Sequence, residues 1–153
     1  MATYKHLLAA IDLTDESQQV LDRARAEAQL HGALLSVVHV LKPFTHVYAG
    51  YGAIGPGDFG GRLAALEVEL RREAEQQLVG IAKMLNVPAE RTHMLSGNAA
   101  SEIRQLAAHR GADLIVIGTH GQHGLGLLLG STANAVLHGA AIDVLVVRVQ
   151  SAP

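Results

Sequence analysis

Four apolar runs along the chain lack the regular polar alternation of a strand that has one face in solvent. They span residues 6–11, 34–40, 113–118 and 143–149, and a weaker fifth run lies at 91–95. Unbroken apolar runs of this length are typical of strands that are buried on both faces of a parallel sheet. The pattern therefore predicts a sheet of five strands.

Segments with apolar residues at helical spacing separate these runs and predict four helices. The predicted helices span residues 17–30, 62–85, 99–110 and 132–139. Gly32, Gly111 and Gly139 stand where helix ends are expected, and Glu67 and Arg71 are spaced to pair along the second helix. Because strands and helices alternate, we predict a doubly wound α/β fold with helices on both faces of the sheet.

Residues 42–61 interrupt this alternation. They are rich in glycine and longer than a usual connection, so we expect a flexible loop that serves as a mobile lid or an embellishment of the fold. No internal repeat and no second set of elements is visible in the sequence. We therefore predict that residues 1–153 form a single domain.

Composition narrows the possible functions. The net charge of −2 provides no basic surface for nucleic acid, and the absence of cysteine excludes disulfides and thiolate chemistry. The first twelve residues do not resemble a secretory signal, and no apolar run is long enough to span a bilayer. We expect a cytoplasmic protein with no membrane insertion.

The end of the fourth predicted strand is the best place for an anion. Ligands of open α/β sheets collect at the carboxyl ends of the strands. The first strand end carries Asp12, Asp15 and Glu16, which would repel a phosphate, whereas no acid lies between Asp113 and Asp143. Gly130, Ser131 and Thr132 open the helix that follows and would offer free backbone N–H groups and two hydroxyls. The sequence therefore predicts a site for a nucleotide or a small anion.

The standard phosphate motifs are absent from this stretch. Leu129 replaces the third glycine of a dinucleotide fingerprint, and no lysine precedes Ser131 as a P-loop requires. No Lys or Arg occurs between Arg110 and Arg148. Fast phosphoryl transfer normally uses a cationic clamp, so we expect binding and at most slow, incidental hydrolysis, with no catalytic residue.

Several of these residues have alternative, purely structural interpretations. Asp12 could help to cap the first helix, and Ser131 and Thr132 could cap the last one. His39 is expected to be a hydrogen-bonded residue of the core or of a pocket wall. His120 and His123 have no nearby carboxylate, so we expect no metal site there.

The chain resembles the universal stress protein family, close to its single-domain bacterial, ATP-binding members. The resemblance covers YKHLLAAIDLTDES, SVVHV, LSGNAASEI, DLIVIGTHG and GSTANAVLHGAAIDVLVVRV. Gly118 and Gly121 fit the glycine pattern of the ATP-binding members. Eight residues separate Gly121 from Gly130, one fewer than in that pattern. The family fold implies a Rossmann-like parallel sheet, of the adenine nucleotide alpha hydrolase type, with strand order 3-2-1-4-5.

The resemblance also implies which residues bind a nucleotide. Ala10 and Asp12 would flank adenosine, with Asp12 accepting a hydrogen bond from a ribose hydroxyl, and Val40 would pair its backbone with adenine. The glycine-rich segment would wrap ribose and phosphates. The full expected set is Ala10, Asp12, Val40, Gly97, Gly118, Thr119, His120, Gly121, Gly124, Gly130, Ser131, Thr132 and Ala133.

Function follows from the resemblance as an expectation. It implies a stress-response regulator or signalling module that binds ATP or AMP, with Mg²⁺ as a candidate companion of the phosphates. It also implies a homodimer that pairs through residues 144–149. The alternative is a nucleotide-free dimeric scaffold that binds a partner protein such as a transporter or a kinase, and a true enzyme ranks third.

Overall fold

Five strands and four α-helices alternate along the computed structural model, which describes residues 3–43, 59–119 and 129–150. The strands are β1 (His6–Ile11), β2 (Leu34–Leu41), β3 (Thr92–Ser96), β4 (Leu114–Gly118) and β5 (Asp143–Val147). The helices are α1 (Ser17–His31), α2 (Phe59–Leu85), α3 (Ala99–Arg110) and α4 (Ser131–Gly139). A 3₁₀ turn, Ala89–Arg91, precedes β3.

The strands form one parallel sheet in the order β3-β2-β1-β4-β5, which confirms the predicted doubly wound fold. β1 lies at the centre, where Ala10 pairs with Val38 of β2 and with Ile117 of β4. After β1 the chain builds outward to β2 and β3, and it then crosses to the other side of β1 to form β4 and β5. The carboxyl ends of β1 and β4 therefore meet at the point where the strand order reverses, which is where such sheets bind ligands.

Two hydrophobic layers explain why the strand sequences are apolar without alternation. Leu7, Ala9 and Ile11 of β1 pack with α1 and α2 on one face of the sheet. Leu8 and Ala10 pack with α3 and α4 on the other face. Successive side chains of a strand point to opposite faces, and both faces are covered, so every position of β1 is apolar except at its start.

The observed elements differ from the predicted ones mainly at their ends. α2 begins at Phe59, so residues 59–61, which were predicted as loop, are helical, and residues 44–58 lie outside the described part. Arg71 pairs with Glu75, at 3.2 Å from Nε to Oε1, and not with Glu67 as predicted. Glu67 and Glu75 both lie one turn away from Arg71, and helical spacing alone does not decide between them.

α3 and α4 end at the predicted residues and α1 ends one residue later than predicted, but only α1 and α3 are followed by a left-handed glycine. Gly32 and Gly111 follow α1 and α3 in the left-handed conformation, with φ of 61° and 67°. Gly139 is instead the last residue of α4, and the residue after it, Ala140, is extended. No helix in the described residues is both long enough and apolar enough to cross a membrane.

Candidate functional site

A cavity of about 740 Å³ lies at the carboxyl edge of the sheet. It is bordered by the ends of β1, β2 and β4 and by the first turns of α1 and α4. Eight of the residues expected to bind a nucleotide line it: Ala10, Asp12, Val40, Gly118, Gly130, Ser131, Thr132 and Ala133. The fold thus brings together residues that are far apart in the sequence and come from three strand ends and from the start of α4.

The remaining expected residues do not all reach this cavity. His120, Gly121 and Gly124 lie outside the described residues. Thr119 is not among the residues that line the cavity, and it instead joins three elements. Its N–H donates to the Val147 carbonyl (2.9 Å), its carbonyl accepts from the Gly130 N–H (2.6 Å), and its hydroxyl accepts from the Val149 N–H (3.2 Å). Thr119 therefore fixes the start of α4 against the end of β4.

Gly97 has a backbone role at the end of β3. Its φ of +140° is a conformation that residues with a side chain rarely adopt, and its N–H donates to the Leu41 carbonyl (3.0 Å). Gly97 does not line the cavity, although its neighbours Ser96 and Ala99 do. The described contacts thus account for this glycine without a ligand.

Asp12 follows β1 directly and organises the turn into α1. Its Oδ1 accepts hydrogen bonds from the backbone N–H of Thr14 (3.1 Å), the Thr14 hydroxyl (2.7 Å) and the Ser17 hydroxyl (2.8 Å). Glu16 occupies the N-cap position of α1, and its side chain makes no capping hydrogen bond. Asp12 therefore binds the turn and the first helical side chain, and it does not cap the helix backbone.

The first turn of α4 lines the cavity with a glycine and two hydroxyl residues. Gly130 is the N-cap, with extended backbone, and no side chain caps the helix. Ser131 is exposed and Thr132 is half-buried, and neither hydroxyl has a hydrogen-bond partner in the described part of the chain. The alternative that these hydroxyls cap the helix is therefore wrong, because the N-cap position belongs to a glycine.

His39 lines the cavity wall at the end of β2. Its Nδ1 donates a hydrogen bond to the Ile11 carbonyl (2.7 Å), which ties β2 to the last residue of β1. The expected role of His39 as a hydrogen-bonded residue of a pocket wall is confirmed. Val40 follows, one residue beyond the last β1–β2 pair, which joins Ile11 and His39. β1 consequently supplies no pairing partner to the backbone of Val40 at this edge.

Two cations of the cavity lining were missed from the sequence. Lys42 and Arg71 both line it, although no cation lies near the glycine-rich stretch along the chain. Lys42 follows β2 directly at the carboxyl edge, so its position in the sequence could have indicated it. Arg71 lies on α2, and only the packing of that helix brings it to the cavity. Four acids share the lining, namely Asp12, Glu16, Glu67 and Glu73, so acids outnumber these two cations.

The described residues contain no group of three His, Asp or Glu side chains that could hold a metal ion. His120 and His123 lie outside this part of the chain.

A family model and close relatives identify what the chain is similar to. Residues 3–148 match the model of the universal stress protein family. The chain is 46% identical over 145 residues to universal stress protein A homolog 1 of Coxiella burnetii. The matched region covers 94% of this chain and 96% of that protein.

Solved structures of the same family share the fold. A universal stress protein from Lactobacillus plantarum has 25% identity and a TM-score of 0.71, and the match covers 97% of this chain and 100% of that one. A universal stress protein in complex with cAMP has 24% identity and a TM-score of 0.57, with coverage of 96% and 98%. The cavity lies in a fold that these proteins have in common.

Proposed function

The chain belongs to the universal stress protein family, and we propose that it binds an adenine nucleotide, ATP or AMP, in the cavity at the carboxyl edge of its sheet. One observation carries the proposal. The Asp12 carboxylate and the uncapped first turn of α4 line the same cavity, although 117 residues separate Asp12 from Gly130. A carboxylate can accept from ribose hydroxyls, and free N–H groups at a helix start bind phosphate.

The proposed placement of the ligand is the one that the resemblance implies, and it uses residues that line the cavity. Adenine lies beside Ala10 and Val40, the ribose reaches Asp12, and the phosphates extend to Gly130, Ser131 and Thr132. Ala10 has no bulk to block the base and is almost fully buried between β2 and β4. The relative in complex with cAMP supports an adenine nucleotide as the ligand class.

We propose that the protein acts as a regulator in the stress response and does not turn the nucleotide over rapidly. The two cations of the lining are outnumbered by acids, and Arg71 is paired with Glu75. Such a lining does not provide the cationic clamp that phosphoryl transfer uses. Turnover of ATP above about 1 s⁻¹, an ordinary enzymatic rate, would contradict this role.

The acidic lining also predicts that Mg²⁺ supports binding of the triphosphate. Asp12, Glu16, Glu67 and Glu73 would repel an ATP that carries no cation. We therefore propose that affinity for ATP falls when Mg²⁺ is removed with EDTA, and that affinity for AMP falls less because AMP carries less charge. Titration calorimetry of both ligands, with and without Mg²⁺, measures the difference.

Equilibrium dialysis with ATP, ADP and AMP tests the proposal itself. We expect retention of at least one of them, and no retention with or without Mg²⁺ would exclude it. Gly130→Val combined with Ser131→Ala should weaken binding by about tenfold or more, because a side chain would fill the phosphate end and one hydroxyl would be lost. Ser101→Ala is the matched control, since Ser101 lies in the first turn of a different helix, α3. The N-cap residue of α3, Asn98, already accepts a hydrogen bond from the backbone N–H of Ser101.

We also propose that the protein is a homodimer that pairs along β5. β5 is one of the two edge strands of the sheet, and the residues of β5 after Asp143 are only half-buried in the isolated chain. A strand at the edge of a sheet presents unpaired backbone groups that a second copy can satisfy. A dimer that failed to bind any nucleotide would instead favour the scaffold function, in which a partner protein is the ligand.

A further inference from the structure

The two oxygens of the Asp12 carboxylate have different surroundings. Oδ1 accepts all three hydrogen bonds that Asp12 makes, two from hydroxyls and one from a backbone N–H. Oδ2 accepts none from the described residues, and Asp12 lines the cavity. One oxygen is therefore held by the protein, and the other remains available to a ligand.

Ser17 is the most firmly placed of the donors to Oδ1. It is the first residue of α1, its N–H donates to the Thr14 carbonyl (3.0 Å), and only 4% of its surface is exposed. Its hydroxyl lies 2.8 Å from Oδ1. A serine that is buried to this extent usually has a partner inside the protein, and here the partner is Asp12.

The turn between Asp12 and Ser17 reinforces this arrangement. Leu13 has a φ of 62°, a left-handed conformation that is uncommon for a residue with a bulky side chain. The N–H and the hydroxyl of Thr14 both donate hydrogen bonds to Asp12, and these bonds close the turn around Leu13. Since the backbone is fixed on both sides of Leu13, the carboxylate cannot rotate without breaking hydrogen bonds.

We propose that Ser17, assisted by Thr14, is a positioning residue that orients Asp12 so that Oδ2 accepts a ribose hydroxyl and the site prefers ribonucleotides. This role rests on the proposed function, because it requires a ribose at Asp12. An unanchored carboxylate would lose rotational freedom when the ligand binds, whereas an anchored one has lost it already during folding. Ser17 therefore contributes to recognition without contacting the ribose.

The test compares two ligands that differ only in the ribose hydroxyls, namely ATP and 2′,3′-dideoxy-ATP. Their dissociation constants are measured by titration calorimetry with Mg²⁺ for the wild-type protein, Ser17→Ala, Ser17→Thr and Thr14→Val. The quantity of interest is the ratio of the two constants. A role of Ser17 in stability alone would affect both ligands equally and would leave the ratio unchanged.

We expect the wild-type protein to bind ATP more tightly than the dideoxy analogue. Ser17→Ala should reduce this preference by about three- to tenfold, the contribution of one hydrogen bond. Thr14→Val should reduce it in the same direction, because it removes the hydroxyl and keeps the backbone N–H. Ser17→Thr retains a hydroxyl and should restore the preference. Thermal unfolding of each variant shows whether it is folded.

The outcomes separate the two proposals. If the wild-type protein binds both ligands equally well, or if Ser17→Ala weakens both to the same extent, the positioning role is wrong and nucleotide binding stands. If the wild-type protein binds neither ATP nor AMP, the proposed function is wrong and the positioning role is wrong with it.

Discussion

His93 on β3 is a half-buried residue whose charge state matters for stability. Its Nε2 is buried and has no hydrogen-bond partner among the described residues. Burial lowers the pKa of His93 below its usual value, and the positive charge of Arg110 and the neighbouring His6 lower it further. His6 is itself engaged, since its Nε2 lies 2.7 Å from the Ser36 hydroxyl and its Nδ1 3.2 Å from the Arg110 carbonyl.

We predict that His93 makes the fold less stable in mild acid. The pKa of the folded state lies below the unfolded value of 6.5, so the unfolded chain takes up the proton first as the pH falls. The contribution of His93 to stability is therefore fully present above that value and is lost progressively below it. Urea unfolding at pH 8 and pH 5.5 should show a smaller loss for His93→Gln than for the wild-type protein.

His109→Gln is the matched control for this experiment. His109 lies on α3 with its side chain exposed, so the same substitution should leave the pH dependence close to that of the wild-type protein. An equal loss of stability in the wild-type protein and in His93→Gln would show that other groups cause the acid sensitivity.

Three helices end in the same way, although only two of them end at glycine. At the ends of α1, α2 and α3, the residue after the helix donates to a carbonyl three residues back, and the next residue donates to one five residues back. Gly32 and Gly111 occupy the left-handed position in α1 and α3, and Asn86 occupies it in α2 with a φ of 55°. This hydrogen-bond pattern is a Schellman motif, in which glycine is favoured.

We predict that Asn86→Gly stabilises the protein by about 0.5–1 kcal/mol. Glycine adopts the left-handed conformation without the steric cost that asparagine has there, and the exposed side chain of Asn86 makes no hydrogen bond in the described structure that would be lost. Asn86→Ala should destabilise the protein by about 1 kcal/mol for the opposite reason. Urea unfolding at pH 8 measures both, and a gain in stability for Ala would contradict the explanation.

An element could be predicted from the sequence when the residues that determine it are neighbours along the chain. The apolar runs and the glycines at 32 and 111 act through neighbouring residues, so the strands and two helix ends could be predicted. The end of α2 at Leu85 was predicted from its apolar pattern alone, since Asn86 gave no such signal because asparagine is common in many kinds of turn. The start of α2 was also missed, because Gly60 and Gly61 are poor helix formers and the pattern read them as loop.

At the scale of the molecule, the position of the candidate site was predictable and part of its charge was not. The resemblance, together with the lack of acids after β4, placed the ligand near Gly118 and Gly130, and these glycines do line the cavity. Lys42 could have been assigned from its place directly after β2, at the carboxyl edge of the sheet. Arg71 could not be assigned in this way, because its presence at the cavity depends on how α2 packs, which no single stretch of sequence specifies.

The proposed dimer gives a prediction for the whole assembly. The Val147 carbonyl faces β4, since it accepts from the N–H of Thr119, so the N–H of Val146 faces the outer edge of the sheet. Val146→Pro removes this outward donor and leaves the bonds to β4 in place. We expect sedimentation analysis to show a dimer for the wild-type protein and mostly monomer for this variant.

Val146→Thr serves as the control, because it keeps the N–H and should remain dimeric. A Val146→Pro protein that is folded and still dimeric would place the interface elsewhere on the surface. Circular dichroism establishes that the proline variant is folded before the comparison is made.

The strand order β3-β2-β1-β4-β5 also determines how the sheet can assemble while the chain is being synthesised. β1, β2 and β3 lie within the first 96 residues and can pair as soon as they leave the ribosome. The other edge of β1 has no partner until β4 emerges, about one to four seconds later at ~5–20 residues per second. During this interval the unpaired backbone N–H and C=O groups on that edge of the central strand are open to any other extended chain. A pause in synthesis after β3 has left the ribosome and before β4 has left it therefore prolongs the period in which this edge is exposed.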